Sequence, residues 1–161
     1  MRLGEDSAVK IESHFEKIER FDALRERLDH FEDFEIWFWT TMNAGTNAVN
    51  AALHATGITE DGSWYPQQPG VYMVADDEPG TFVPAFKPLG DVLHVGRPKI
   101  EKPIPEKVQR IADLMDVIEE WRDPCVRDGE PVTQEIVDTV DTAYREVVAL
   151  AREVAAEAAG G

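Results

Sequence analysis

The amino-acid sequence predicts a mainly α-helical protein, a four-helix bundle with a small β-hairpin-containing, Pro-rich insertion between the second and third helices. Three observations carry that expectation. Apolar residues recur at helical spacing in four long stretches. One of those stretches, Ile36 to Thr59, holds no Asp, Glu, Lys or Arg at all, in a chain that carries 16 Lys and Arg and 32 Asp and Glu. And eight of the ten prolines fall between residues 60 and 105, where no long helix can run.

The first helix is expected over about 6–29. Ile11, Phe15 and Ile18, and again Leu24, Leu28 and Phe31, recur at steps of three and four residues, while Glu12, Glu16, Glu19, Arg20, Arg25 and Arg27 supply a wet face. The second, over about 32–56, contains the uncharged run, which begins at Ile36. A solvent-facing helix carries Glu and Lys, so its composition predicts enclosure by protein. At about 100° per residue, Thr40, Asn43, Asn47, Asn50 and His54 share one stripe. Phe38, Met42, Val49, Ala52 and Leu53 lie opposite, and Ala44, Ala48, Ala51 and Ala55 form a small-residue flank where another backbone can approach. Gly57 suits the helix end.

The insertion spans about 60–104. Val71–Ala75 and Thr81–Phe86 flank Asp-Asp-Glu-Pro-Gly, which reads as a hairpin turn, and Asp91–Val95 reads as a third strand. The third helix is expected over about 105–122, with Pro105 in its first turn and Val108, Ile111, Leu114, Met115, Ile118 and Trp121 facing inward. After a loop containing Cys125, the fourth helix is expected over about 133–158, capped by Thr133. Ile136, Val140, Tyr144, Val147, Ala151 and Val154 step along it by three and four.

At 161 residues the size predicts a single domain. A formal net charge of −16 argues against nucleic acid and against an anionic membrane surface, because phosphate contacts need clustered Lys and Arg. The uncharged run is too polar to lie in lipid. A single cysteine and an N-terminus without an apolar run suggest a cytoplasmic protein. The second helix has a small or apolar circumference, so either the insertion covers it or a second subunit does, and the second, a homodimer, is the expectation.

The Asn/His stripe is the main functional candidate. Asparagine is a poor helix former, so three on one helix face need a compensating reason. Either they hold a small neutral ligand beside His54, or they bond to the insertion backbone or to a second copy. Within the insertion, Trp64, Tyr72, His94 and Arg97 are candidate lid residues, with Asp91 close to His94 in sequence. The function expected is a non-catalytic binding or assembly protein with a small molecule along the second helix. The alternative is a small cofactor-independent hydrolase or isomerase in which His54, helped by His94, is the general acid/base. No cofactor is expected. No Glu-x-x-His, His-Glu-x-x-His or Cys-x-x-Cys occurs, so ligand spacing does not support a metal ion. The sequence leaves open whether His14, His30, His54 and His94 converge in space.

Overall fold

A computed structural model describes residues 10–62, 64–93 and 100–160. The protein is mainly helical. Helices α1 (Ile11–Arg27) and α2 (Phe34–Ala55) are followed by a hairpin of strands β1 (Gly70–Ala75) and β2 (Phe82–Lys87). Then come α3 (Glu106–Glu119), a π-helical turn at Arg122–Arg127 where the sequence suggested an irregular loop, and α4 (Gln134–Gly160).

The break between α1 and α2 is a turn built by aspartates. Asp29 Oδ1 accepts the backbone N–H groups of Phe31 and Glu32, both at 2.9 Å, and Asp33 Oδ2 accepts that of Asp29 at 2.9 Å. These bonds hold the Asp29 carboxyl below the usual carboxylate range, the Glu32 amide contributing most. At its other end α2 closes on Gly57, whose φ of 73° places it in the left-handed region. The N–H of Gly57 reaches the His54 carbonyl at 3.1 Å, and that of Ile58 reaches Leu53 at 3.1 Å. This pair of bonds satisfies two carbonyls that the helix itself leaves free. Helix α4 begins where the Thr133 hydroxyl accepts the Ile136 N–H at 3.3 Å.

Helix α2 packs against α1, α3 and α4, and α3 packs along α4. Of its 22 residues, 15 are buried. Trp37, Phe38 and Met42 meet Ile18 of α1, Ile111, Met115 and Ile118 of α3, and Val140, Tyr144 and Val147 of α4 in one core. Each fully buried side chain of this size contributes roughly 1.5–3 kcal/mol. The flank of Ala44, Ala48 and Ala51 is fully enclosed, and Gly45 lies so close to α3 that a Cβ there would stand 2.5 Å from Met115 Sδ. The cover that α2 needs therefore comes from within one chain, and its burial gives no argument for a second subunit.

Two expectations need correction here. Arg25, read as part of the wet face of the first helix, is only 6 % exposed. Its guanidinium lies 4.1 Å from the Tyr144 ring centroid and 5.3 Å from that of Trp37. It donates to Thr41 Oγ1 at 2.9 Å and to Asp141 at 2.6 Å. A planar cation with two aromatic faces and an acceptor on each side is satisfied in the interior. Second, residues 91–93 do not form a strand. The described sheet has two antiparallel strands, with Val71 opposite Phe86, Met73 opposite Pro84 and Ala75 opposite Phe82. No helix among the described residues is long and apolar enough to cross a membrane.

Candidate functional site

Three polar side chains from distant parts of the chain meet at one carboxylate oxygen. Asp91 Oδ1 lies 3.0 Å from His14 Nε2 and 2.5 Å from His54 Nε2. His14 comes from the first turn of α1, His54 from the last turn of α2, and Asp91 from the loop that follows β2. The two imidazole centroids are 5.4 Å apart. Both rings are buried, at 2 % and 7 % residue exposure, whereas the Asp91 side chain is 31 % exposed. The carboxylate thus forms the solvent side of the cluster.

The loop that carries Asp91 is held from both flanks. Gly90 N–H donates to the Pro66 carbonyl at 2.7 Å, and Glu60 N–H donates to Leu89 at 2.9 Å. On the other side, Asn50 brackets Val92: its amide donates to the Val92 carbonyl at 2.9 Å and its carbonyl accepts the Val92 N–H at 2.7 Å. Gly90 is required where it stands, because a Cβ would fall 2.7 Å from Tyr65 Cβ and 3.0 Å from the Tyr65 carbonyl oxygen.

The rings are oriented by a further layer. Asn47 Oδ1 lies 2.8 Å from His14 Nδ1. Asn47 Nδ2 donates to the Asn43 backbone carbonyl at 2.8 Å. That carbonyl can only accept, so the Asn47 oxygen must face the ring and His14 must donate from Nδ1. Thr59 Oγ1 lies 2.6 Å from His54 Nδ1, and Thr59 is only 2 % exposed. Burial pushes the Asp91 carboxyl up, but the hydrogen bonds and charges of His14 and His54 outweigh it and hold the group well below the usual carboxylate range.

The stripe anticipated on α2 is thus divided among several tasks. His54 and Asn47 touch the cluster, and Asn50 anchors its loop. Thr40 is buried with its hydroxyl on the Ile36 carbonyl at 2.7 Å. Asn43 is exposed and bonds to the Trp39 carbonyl at 3.0 Å. Trp64 and Tyr72 pack edge to face at 5.8 Å, with Tyr72 donating to the Gln68 carbonyl and Lys87 over the Trp64 ring. These contacts do not reach the cluster. His94 and Arg97 lie outside the described residues. His30 stands apart, exposed, with its ring tilted at 45° to that of Trp37 and 5.1 Å from it. Cys125 is buried, and burial together with the Glu130 charge pushes its thiol up, away from a reactive thiolate.

Sequence reasoning missed His14 and Thr59 as site residues, and it noted Asp91 only for its closeness to His94 in sequence. A signal for His14 was present. It follows Ile11 by three residues and precedes Ile18 by four, so it lies on the apolar face of α1. Two imidazoles and a carboxylate whose ligand atoms all lie within 4.8 Å of one another are also a donor set for a metal ion. No local spacing motif encodes it, because the three donors are 40 and 37 residues apart in sequence.

No family model matches this chain, and neither a curated protein nor a solved structure matches it.

Proposed function

We propose that this chain is a ligand-binding helical protein whose working centre is the His14–Asp91–His54 cluster. The four helices act as a bundle, and the Pro-rich insertion serves to carry Asp91 over the ends of α1 and α2. The observation that supports this reading is the meeting of two buried imidazoles at one carboxylate, each ring held by a separate polar partner. Burying polar groups is unfavourable unless each is paired, and apolar side chains would fill the same space with less risk. The ligand is placed at the cluster and not along the Asn ladder expected from the sequence, because Asn43, Asn47 and Asn50 already bond within the protein. One chain suffices for this reading, and the expected homodimer is not part of it.

Thermal unfolding against a panel of divalent ions and small polar compounds tests it. A ligand at a hundred times its dissociation constant stabilises by roughly 2.7 kcal/mol, which raises the melting temperature by about 5–10 °C for a chain of this size. The wild type should respond to at least one compound and Asp91→Asn should not. An equal response of the two proteins, or none from either, would remove the reading.

A second reading has one observation in its favour. Asp91, His54 and Thr59 form a continuous relay of carboxylate, imidazole and hydroxyl at 2.5 and 2.6 Å. In that reading His54 moves a proton in a hydrolytic or isomerising reaction, oriented by Asp91. Both ring nitrogens of His54 are engaged and the Thr59 hydroxyl is enclosed, so a substrate would have to displace one partner. Turnover that survives His54→Ala would end this alternative.

A further inference from the structure

We propose that His14 Nε2, His54 Nε2 and the Asp91 carboxylate bind one divalent first-row transition metal ion, of the zinc or ferrous type, with the remaining positions open towards the exposed side of Asp91. This rests on the reading of the cluster as the working centre and names the class of ligand it takes.

Proton bookkeeping supplies the first argument. Asn47 fixes the His14 proton on Nδ1, so the Nε2 of a neutral His14 carries a bare lone pair. That lone pair points at Asp91 Oδ1 from 3.0 Å. Two lone pairs at hydrogen-bond distance repel, and something positive belongs between them. A second proton on His14 satisfies the contact as an ion pair. A metal ion satisfies it with neutral rings, and it draws all three donors into one set.

Geometry supplies the second. Nitrogen and oxygen ligands stand about 2.0–2.2 Å from such ions, so two ligands are about 3.0 Å apart at the right angles of a six-coordinate ion and about 3.4 Å apart at the tetrahedral angle of zinc. The His14–Asp91 separation is 3.0 Å. His54 Nε2, at 2.5 Å from the same oxygen, has to retreat by roughly half an ångström to reach that spacing. The whole set already lies within 4.8 Å.

The surroundings supply the third. Metal-bound imidazoles donate their other N–H to a fixed acceptor, and ligating carboxylates are themselves held. Here Asn47 takes the outer nitrogen of His14, Thr59 that of His54, and the Pro66 and Asn50 contacts hold the backbone on either side of Asp91. Two imidazoles select against calcium and magnesium, which prefer all-oxygen shells. A net charge of −16 raises the local concentration of cations.

The test uses the full chain after dialysis against a chelator. Zinc is titrated by calorimetry, and cobalt(II) is titrated while its visible absorption is followed. The expected result is one site per chain, a cobalt spectrum showing imidazole ligation, and affinity reduced at least about a hundredfold in His54→Ala and Asp91→Asn. Asn47→Ala should weaken binding by about 10–100-fold through the orientation of His14 alone. Circular dichroism establishes that each variant is folded. Asp91→Asn keeps the shape of the loop residue, so it remains informative if His54→Ala does not fold. Absence of a stoichiometric site in the wild type would overturn the proposal, as would unchanged affinity in folded Asp91→Asn. If zinc and cobalt fail while another compound stabilises the wild type and not Asp91→Asn, the metal falls and the working centre stands. If neither binds, both fall and the cluster is a His14–Asp91 ion pair with a structural role.

Discussion

Asn50→Ala removes the clamp on the Asp91 loop without touching the cluster itself. Asn50 and Val92 are both 3 % exposed, and the Asn50 side chain makes two hydrogen bonds to the Val92 backbone, at 2.9 and 2.7 Å. Alanine leaves a buried N–H and a buried C=O without their partners. Each unmade bond of this kind costs about 1–3 kcal/mol, and a water entering the vacated space recovers part of it. A net loss of roughly 2–4 kcal/mol follows from the two bonds taken together. For a chain of this length that is a fall of about 5–15 °C in melting temperature. Thermal unfolding followed by circular dichroism measures the loss, and amide hydrogen exchange at Val92 locates it. Protection at Val92 should drop by more than the global stability does, because the loop opens locally. A loss below about 0.5 kcal/mol, the range of an ordinary surface substitution, would refute the claim that this side chain anchors the loop.

Other consequences are as direct. Gly90→Ala and Gly45→Ala both place a Cβ under 3 Å from a neighbour, but Gly90 meets the Tyr65 Cβ, which the backbone fixes, and Gly45 meets the flexible end of Met115. Gly90→Ala should destabilise by about 1–3 kcal/mol through overpacking and shift the His54 ring resonances. Gly45→Ala should be nearly neutral, because its gain of about 1 kcal/mol in helix propensity offsets the rearrangement of Met115. Equal losses in denaturant unfolding would contradict that distinction. Arg25→Met should lower stability while leaving the His14 and His54 resonances in place, since the guanidinium bonds to Thr41 and Asp141 and not to the cluster. Asp141 gives the pH dependence. Burial raises its carboxyl, but Arg145 and Arg25 outweigh burial and hold it below the usual range. A depressed folded value means stability that is present above the ordinary carboxylate range, near pH 4, and lost as pH falls through the folded value. The stability gap between wild type and Asp141→Asn should therefore narrow as pH falls below about 5. A constant gap would show that Asp141 acts by shape and not by charge.

What the sequence reveals of this protein follows from which signals are local. The helices are legible because their apolar period is repeated over several turns, and α2 stands out because enclosure on most sides removes its need for charge. Gly57 and Thr133 mark helix ends through chemistry carried by one residue. Arg25 is not legible, because its shortest-bonded acceptors, Thr41 and Asp141, and its aromatic partners come from α2 and α4, and Asp141 lies 116 residues away. The cluster shows the same limit. His54 stands out on a helix that carries no charge from Ile36 onward and Asp91 follows Gly90, yet nothing local pairs them. Their meeting depends on the loop after β2 turning back across the ends of α1 and α2, and on Asn50 being spent on backbone and not on a ligand. His14 was within reach of periodicity alone: a titratable residue on an apolar helix face is a buried one, and a buried histidine needs partners.

The most direct measurement of the central claim is the nitrogen-15 spectrum of the two imidazole rings in the full chain, recorded through their carbon-bound protons. The account predicts His14 with its proton on Nδ1 and both rings responding together when Asp91 becomes Asn, while His30 stays unchanged. Rings that exchange freely between tautomers, or that ignore the Asp91 substitution, would show that the three side chains do not form one centre.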